Sequence, residues 1–268
     1  MTAPMPPLVS ARNPELEQRI LTARNGLRLG SPCHAYQELP STMDLAHQLA
    51  QQGAPEGACV WAETQTGGRG RAGRVWASPP GGIYLSLILR PQQDTREIPQ
   101  LALVAGLALA QTIQEVTGLW ASIRWPNDVL LNKQKVCGIL VEAQSTSANT
   151  HAVIGIGLNV TTAREALPEG ATALAQWANP IIDRFALAGT LFRCLDQSYQ
   201  QWTREGFAPI RAQLSRWVGL FGQLVHITTA KEAFQGQAVD LDEAGRLLVR
   251  LDSGVIRPVE MGEVSLLK

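Results

Sequence analysis

Apolar and polar residues alternate from 83 to 89, with Ile83, Leu85, Leu87 and Leu89 on one side of the chain and Tyr84, Ser86 and Ile88 on the other. A period of two predicts a β-strand, and residues 58–64 and 34–39 read as strands before it. Between those two, Ser41-Thr42-Met43-Asp44 reads as a helix start, with Ser41 as N-cap and Asp44 closing a capping box; Leu45 and Leu49 continue the helix and Gly53 ends it. Residues 101–117 are rich in alanine and leucine and stop at Gly118, which predicts a helix apolar enough to lie buried against a sheet. Residues 129–131, the polar turn Asn132-Lys133-Gln134, then 135–143 and 153–160 form a strand-turn-strand meander, the pattern of an antiparallel sheet. Residues 182–204 carry a helical pattern. The tail divides into short strands at 223–228, 234–240, 246–251, 255–258 and 263–267, parted by turn residues such as Asp252-Ser253-Gly254. At the other end, the proline-rich residues 1–14 are expected to fray, and 15–29 to form one short helix before Gly30-Ser31-Pro32.

Between the strands at 58–64 and 83–89 lies Gln65-Thr66-Gly67-Gly68-Arg69-Gly70-Arg71-Ala72-Gly73-Arg74-Val75-Trp76. Its glycines let the backbone approach a ligand closely, so that N–H groups converge on an anion. Arg69, Arg71 and Arg74 add planar donors suited to phosphate or carboxylate. A core cannot hold three unpaired guanidinium groups, so this is a surface loop, and the coincidence of glycine with arginine reads as phosphate handling. Gly68, Gly70 and Gly73 satisfy the dinucleotide fingerprint Gly-x-Gly-x-x-Gly, with Asp94 at a fitting distance. That fingerprint must open a helix, however, and Pro79-Pro80-Gly81-Gly82 followed by a strand leaves no room for one. A kinase loop lacks its His-Arg-Asp and Asp-Phe-Gly partners, and no Gly-Lys-Ser/Thr of a Walker loop occurs.

Composition narrows the picture. With 268 residues, 45% of them hydrophobic, the chain can bury one large core and a small second one. Its formal net charge of +0 gives little grip on nucleic acid, so the arginine cluster reads as a local ligand site. Cys33, Cys59, Cys137 and Cys194 form no Cys-x-x-Cys pair, which argues against zinc and a disulfide framework and fits a reducing cytoplasm. No apolar leader opens the chain and no apolar run is long enough to span a bilayer, so a soluble cytoplasmic protein without a membrane partner is expected.

A second informative block is Arg124-Trp125-Pro126-Asn127-Asp128. Asn127 and Asp128 after a proline are ordinary turn formers, and Lys135 can be a solvated strand end. Gly138, inside a strand, marks either a bulge or space left for a ligand on the sheet. Ser41 and Thr42 either cap the helix or bind a polar ligand. Gly155, Gly157 and Asn159 add to a sheet face that is repeatedly kept open.

Four motifs, in order, resemble those of biotin–protein ligases: the Gly-Arg-Gly-Arg-x-Gly-Arg-x-Trp core within residues 65–76, Arg-Trp-Pro-Asn-Asp at 124–128, Lys135-x-x-Gly-Ile-Leu-Val-Glu, and residues 155–160 with Asn159. The similarity runs from about Ala35 to the C-terminus, with residues 163–206 carried only by helical pattern. It implies an α+β fold: a mixed, largely antiparallel sheet flanked by helices, akin to class II aminoacyl-tRNA synthetases, and a small SH3-like barrel. The implied division is an N-terminal extension (1–30), a catalytic domain (31–218) and a C-terminal domain (219–268).

By resemblance, the substrates are biotin and ATP with Mg²⁺, held mainly by the phosphates. Biotin is activated as biotinyl-adenylate and passed to a lysine of the biotin carboxyl carrier domain of acetyl-CoA carboxylase. Arg71, Lys135 and Asp128 are the implied catalytic residues, Asp128 acting as base, metal ligand or brace for Asn127. Ser41, Thr42, Gln65, Gly68, Arg69, Gly70, Arg71, Lys135 and Gly138 would hold biotin. Arg69, Arg71, Arg74, Trp76, Asn127, Lys135 and Asn159 would hold ATP, with Trp76 over the adenine and Asn159 at its edge. Many relatives read Ser-Thr-Asn where this chain has Met43, which removes an amide there. The N-terminal DNA-binding domain of the repressing members is missing, so ligase activity without specific DNA binding is expected. A lipoate or octanoate transferase and a biotin-sensing repressor are the rivals, and whether the protein forms a homodimer is open.

Overall fold

The computed structural model describes residues 10–145, 150–178 and 182–267. In chain order the elements are α1 (Pro14–Ala23), β1 (Cys33–Leu39), α2 (Thr42–Gln51), β2 (Cys59–Gln65), β3 (Gly82–Leu89), α3 (Leu101–Thr117), β4 (Ser122–Arg124), β5 (Asp128–Leu131), β6 (Gln134–Ser145), β7 (Thr150–Asn159), α4 (Arg184–Glu205), α5 (Ala208–Leu214), β8 (Leu224–Thr228), β9 (Ala233–Leu241), β10 (Leu247–Arg250), β11 (Ile256–Val259) and β12 (Glu263–Leu266). The large sheet has the order β1-β2-β3-β7-β6-β5-β4. β1 and β2, joined through α2, are parallel, and the other neighbours are antiparallel, as the meander predicts.

β3 is buried along its whole length because both of its faces are covered. Ile83, Leu85, Leu87 and Leu89 join Ile154, Ile156 and Leu158 of β7 in the main core, with the apolar α3 and α4. On the opposite face, Ile88 and Val153 pack with Met43, Leu45, Ala46 and Ala50 of α2. α2 lies mainly over the β2, β3 and β7 part of that face. Farther on, the cross-strand pair Gly138 and Gly157 leaves the sheet bare of side chains of its own. Register accounts for the facing: Tyr84 pairs with Gly157 and Ser86 with Gly155, so the residues period two assigns to one side of β3 lie on the same face of the sheet as these glycines.

The five tail strands form a second sheet, in the order β11-β10-β9-β8-β12, whose Val225, Ile227, Leu247 and Val249 merge with the main core. Trp125 Nε1 donates to Gly245 O (3.0 Å) and Gln100 Nε2 to Glu243 O (3.2 Å), tying the two sheets together.

Three expectations need correction. The first helix ends at Ala23 rather than residue 29, because Asn25 and Gly26 turn into the left-handed region at φ 49° and 78°. Residues 1–9 of the proline-rich stretch lie outside the described residues, but the part that follows is tied down instead of frayed. Ser10 Oγ donates to Glu38 O (2.7 Å) and accepts from Glu38 N (3.0 Å), Arg12 bridges to Tyr36, and Asn13 caps α1. Ser41 caps α2 through Asp44 N (3.4 Å), but Asp44 closes no capping box; its carboxylate turns outward to Arg69 (2.8 Å). Among the described residues no helix is long and apolar enough to cross a membrane, and all four cysteines are free and buried.

Candidate functional site

The loop between β2 and β3 folds back over the bare glycine face. Gly70 N donates to Arg74 O (2.6 Å) and Trp76 N to Gly68 O (2.9 Å), making a tight hairpin in which Ala72 and Gly73 take positive φ. Gly68 is required by close approach: a Cβ there would meet Trp76 O at 2.5 Å and Ser78 Oγ at 2.8 Å. The hairpin lays the indole of Trp76 flat over Gly138 and Gly157. A Cβ on Gly138 would stand 2.8 Å from Trp76 Cζ3, and one on Gly157 would run into the pyrrole edge of the same ring. The one register shift of β5 against β6 falls between Val129 and Leu130, so Gly138 is no bulge. Its missing side chain makes room, and in this structure the room is taken by Trp76.

Two cavities meet at that indole. One, of about 120 Å³, is walled by Thr42, Met43, Gln65, Arg71, Gly138 and Gly155, among others. The other, of about 320 Å³, is walled by Asn159, Arg124 and the loop 167–171. Val75, Trp76 and Lys135 belong to both walls. Gly70, Arg69, Arg74 and Asn127 also border the first.

Thr42 and Gln65 are rigidly placed. Thr42 donates from N (2.8 Å) and Oγ1 (3.1 Å) to Gln65 Oε1, while Gln65 Nε2 donates to Ser78 Oγ (2.8 Å). Buried Ser86 donates to Thr42 Oγ1 (2.8 Å). Ser41 is buried beside them. Met43 lies over Gly155, its Sδ 2.6 Å from where a Cβ would stand, so that end of the cavity is walled by a thioether.

The cations differ in how far they are compensated. Arg69 is committed: it donates to both oxygens of Glu142 (2.9 and 3.0 Å) and pairs with Asp44. Burial alone would depress it, but the bonds and charges of Glu142 and Asp44 outweigh that and raise its pKa. Expected as a ligand donor, Arg69 in this structure fastens the loop. Lys135 pairs with Asp128 (2.6 Å) below Trp76, and Arg124 takes the other oxygen of Asp128 (2.6 Å). Arg74 reaches Glu263 of β12 (2.8 Å). Arg71 bonds only the neutral carbonyl of Asn127 (3.0 Å), while Asn127 is pinned by its Nδ2 to Ile139 O (2.8 Å). Burial first, and the neighbouring Arg74 charge second, hold the Arg71 guanidinium below its ordinary pKa. More distant Asp128 and Glu263 offset this only in part, so the guanidinium has charge left for an anionic ligand to compensate.

In the second cavity, Asn159 donates from Nδ2 to Thr172 O (3.0 Å), while its buried Oδ1 has no hydrogen-bond partner, and neither does Trp76 Nε1. Unpaired buried polar atoms are costly unless something else pairs them. The sequence does not point to the loop 167–171, whose Gly170 O accepts from Lys135 N (2.8 Å), because irregular backbone carries no periodic signal. Ser86 could have been found from the alternation of β3. The site can thus place an anion between Arg71 and Lys135, with a polar ligand on one side and a flat ring on the other.

The chain is similar to known proteins over most of its length. Residues 35–159 match the Biotin/lipoate A/B protein ligase family and residues 220–267 the Biotin protein ligase C terminal domain. The chain is 39% identical over 223 residues to the bifunctional ligase/repressor BirA of Bacillus subtilis, covering 81% of this chain and 69% of that one. It is 36% identical to the biotin–[acetyl-CoA-carboxylase] ligase of Paracoccus denitrificans, covering 74% of this chain and 85% of the relative. The biotin protein ligase from Aquifex aeolicus in complex with biotin and ATP superimposes with a TM-score of 0.76 at 29% identity, over 89% of this chain and 99% of that one.

Proposed function

The chain belongs to the biotin protein ligase family, and from that premise we propose that it joins biotin to ATP as biotinyl-adenylate and transfers the biotinyl group to a lysine of a biotin carboxyl carrier domain of acetyl-CoA carboxylase. The observation that carries this reading is Arg71, a half-buried guanidinium without a carboxylate partner among the described residues, in the wall of the first cavity with Lys135, which both cavities share.

In the first step the biotin carboxylate attacks the α-phosphate, an O–P bond forms, and the bond to the β-phosphate breaks as pyrophosphate leaves. Two anions must meet, and fixed cations offset their repulsion. Arg71 and Lys135 are placed for this, with Arg74 at the rim. The ureido ring lies in the Thr42 and Gln65 cavity beside Ser41, Gly68 and Gly70, with Met43 behind it. The adenine lies against Trp76 and takes up the free Oδ1 of Asn159, its exocyclic amine donating. Both rings require the indole to shift from Gly138 and Gly157.

In the second step the lysine amine attacks the acyl carbonyl, AMP leaves, and the amine loses a proton. Asp128 is better suited to hold Lys135 in line than to take that proton, since Oδ2 accepts from Arg124 and Oδ1, without a hydrogen-bond donor of good geometry, lies against the Lys135 ammonium. Among the described residues no group of three or more His, Cys, Asp or Glu could hold a metal ion. A Mg²⁺ bound with the triphosphate would neutralise phosphate charge beside Arg71 and Lys135.

Incubation with ATP, Mg²⁺ and either biotin or lipoate tests the reading. Pyrophosphate release with biotin and not with lipoate is expected. Release with lipoate alone would move the protein to the other branch of the family, and release with neither, alongside retention of DNA, would favour a repressor.

A further inference from the structure

Arg69 is the outermost member of a polar chain that crosses the covered part of the sheet face. Glu142 of β6, which grips Arg69, also accepts from His47 Nε2 of α2 (3.1 Å). His47 Nδ1 in turn meets His151 Nε2 of β7 at 3.1 Å. His47 is 7% exposed and His151 3%. The tautomers follow from the partners. A carboxylate demands a donor, so Nε2 of His47 carries its proton; Nδ1 is then an acceptor, and His151 donates from Nε2. Glu142, His47 and His151 line neither cavity, yet through Arg69 they hold the hairpin that carries Arg71 and leads into Trp76.

We propose that Glu142 and His47, backed by His151, are positioning residues: through Arg69 they fasten the hairpin 67–74 in the conformation that presents Arg71 to the substrate anion. The assignment of Arg71 rests on the adenylate-forming reading; the latch itself rests on geometry alone. The charged and titratable groups facing the histidine pair are Glu142 from β6, Asp44 from α2, Arg69 from the loop and Arg90 after β3. Burial is the largest influence on both rings and lowers both pKa values, against a smaller opposing pull of Glu142 on His47. With folded pKa values lowered, the latch contributes its full stability above the ordinary histidine range and loses it as pH falls from that range through the lowered folded values, because the unfolded chain binds protons more readily. One added proton can be accommodated by reversing the tautomer of His151. A second sets two N–H groups against each other.

Loosening a latch lowers the fraction of competent loop, which raises apparent KM and leaves kcat within a few-fold. Glu142→Gln, which removes the charge that Arg69 grips, should raise KM for biotin by about tenfold. In the ligand-free protein at neutral pH it should speed tryptic cleavage after Arg69, Arg71 or Arg74. The parent should show a rise in KM as pH falls below the ordinary histidine range, where the pair takes up its second proton. His47→Gln keeps an N–H for Glu142 but has no titrating ring, so that rise should vanish whatever the variant's activity at neutral pH. An unchanged rise in His47→Gln, or unchanged tryptic cleavage in folded Glu142→Gln, overturns the proposal. If the parent releases no pyrophosphate with biotin, the adenylate reading fails, and the cleavage rate still decides the latch.

Discussion

The two cations that face the cavities are held differently, and that difference predicts what their loss does. Lys135 is paired with Asp128 and stacked under Trp76, whereas Arg71 has only a neutral partner. Arg71→Ala should therefore fold as the parent does and lose about a hundredfold to a thousandfold in adenylation rate, the usual effect of deleting a transition-state donor. Lys135→Ala should lose a similar factor, and it also strands Asp128 with Arg124 alone. Pyrophosphate release from either variant within a few-fold of the parent would show that its donor role is wrong. The glycines make the opposite kind of prediction, because adding atoms is what harms them. Neither Gly138 nor Gly157 needs positive φ, so Gly138→Val and Gly157→Ala should keep the melting temperature and displace the indole. Calorimetry should then register lost biotin and ATP binding together with altered tryptophan fluorescence; normal binding would mean the space above the sheet is not the ligand's.

At the scale of elements, the long periodic segments were legible. Strand β3, helix α3 with its Gly118 stop, the meander of β5, β6 and β7, and the five tail strands lie within a residue or two of their predicted places, save that β7 starts three residues earlier, at Thr150 rather than 153; burial on a defined face enforces periodicity. Short or irregular pieces were not. Helix α5 is only seven residues long, and the left-handed turn at Asn25 and Gly26 cut α1 short against its helical pattern. In the site, glycine and arginine content located the loop, but composition could not say that Arg69 would be spent on Asp44 and Glu142, both distant or adjacent only through folding. The hairpin 67–74 joins the cavities, so biotin with ATP should slow tryptic cleavage after its arginines. Equal cleavage with and without the pair would mean that the loop does not close on its ligands.

In the whole molecule, one sheet supplies a rigid back wall, α2 covers part of its open face, and the arginine hairpin covers the rest. The small sheet is coupled to that arrangement through Trp125, Gln100 and the Arg74–Glu263 pair; that pair is largely exposed, so it contributes at most about 1 kcal/mol. A boundary after residue 218, with the first 30 residues as an extension, remains our proposed division; Leu16 and Ile20 of that extension lie in the same core as the sheet. The proposed chemistry makes one mixed anhydride between a carboxylate and an α-phosphate, keeps it from water, and hands it on. The most direct measurement is to incubate the protein with biotin, ATP and Mg²⁺, remove free ligands by rapid desalting, and identify what stays bound by mass spectrometry. Biotinyl-5′-AMP retained by the parent and absent from Arg71→Ala is the predicted result. Intact ATP and biotin recovered from the parent, with no adenylate formed, would contradict it.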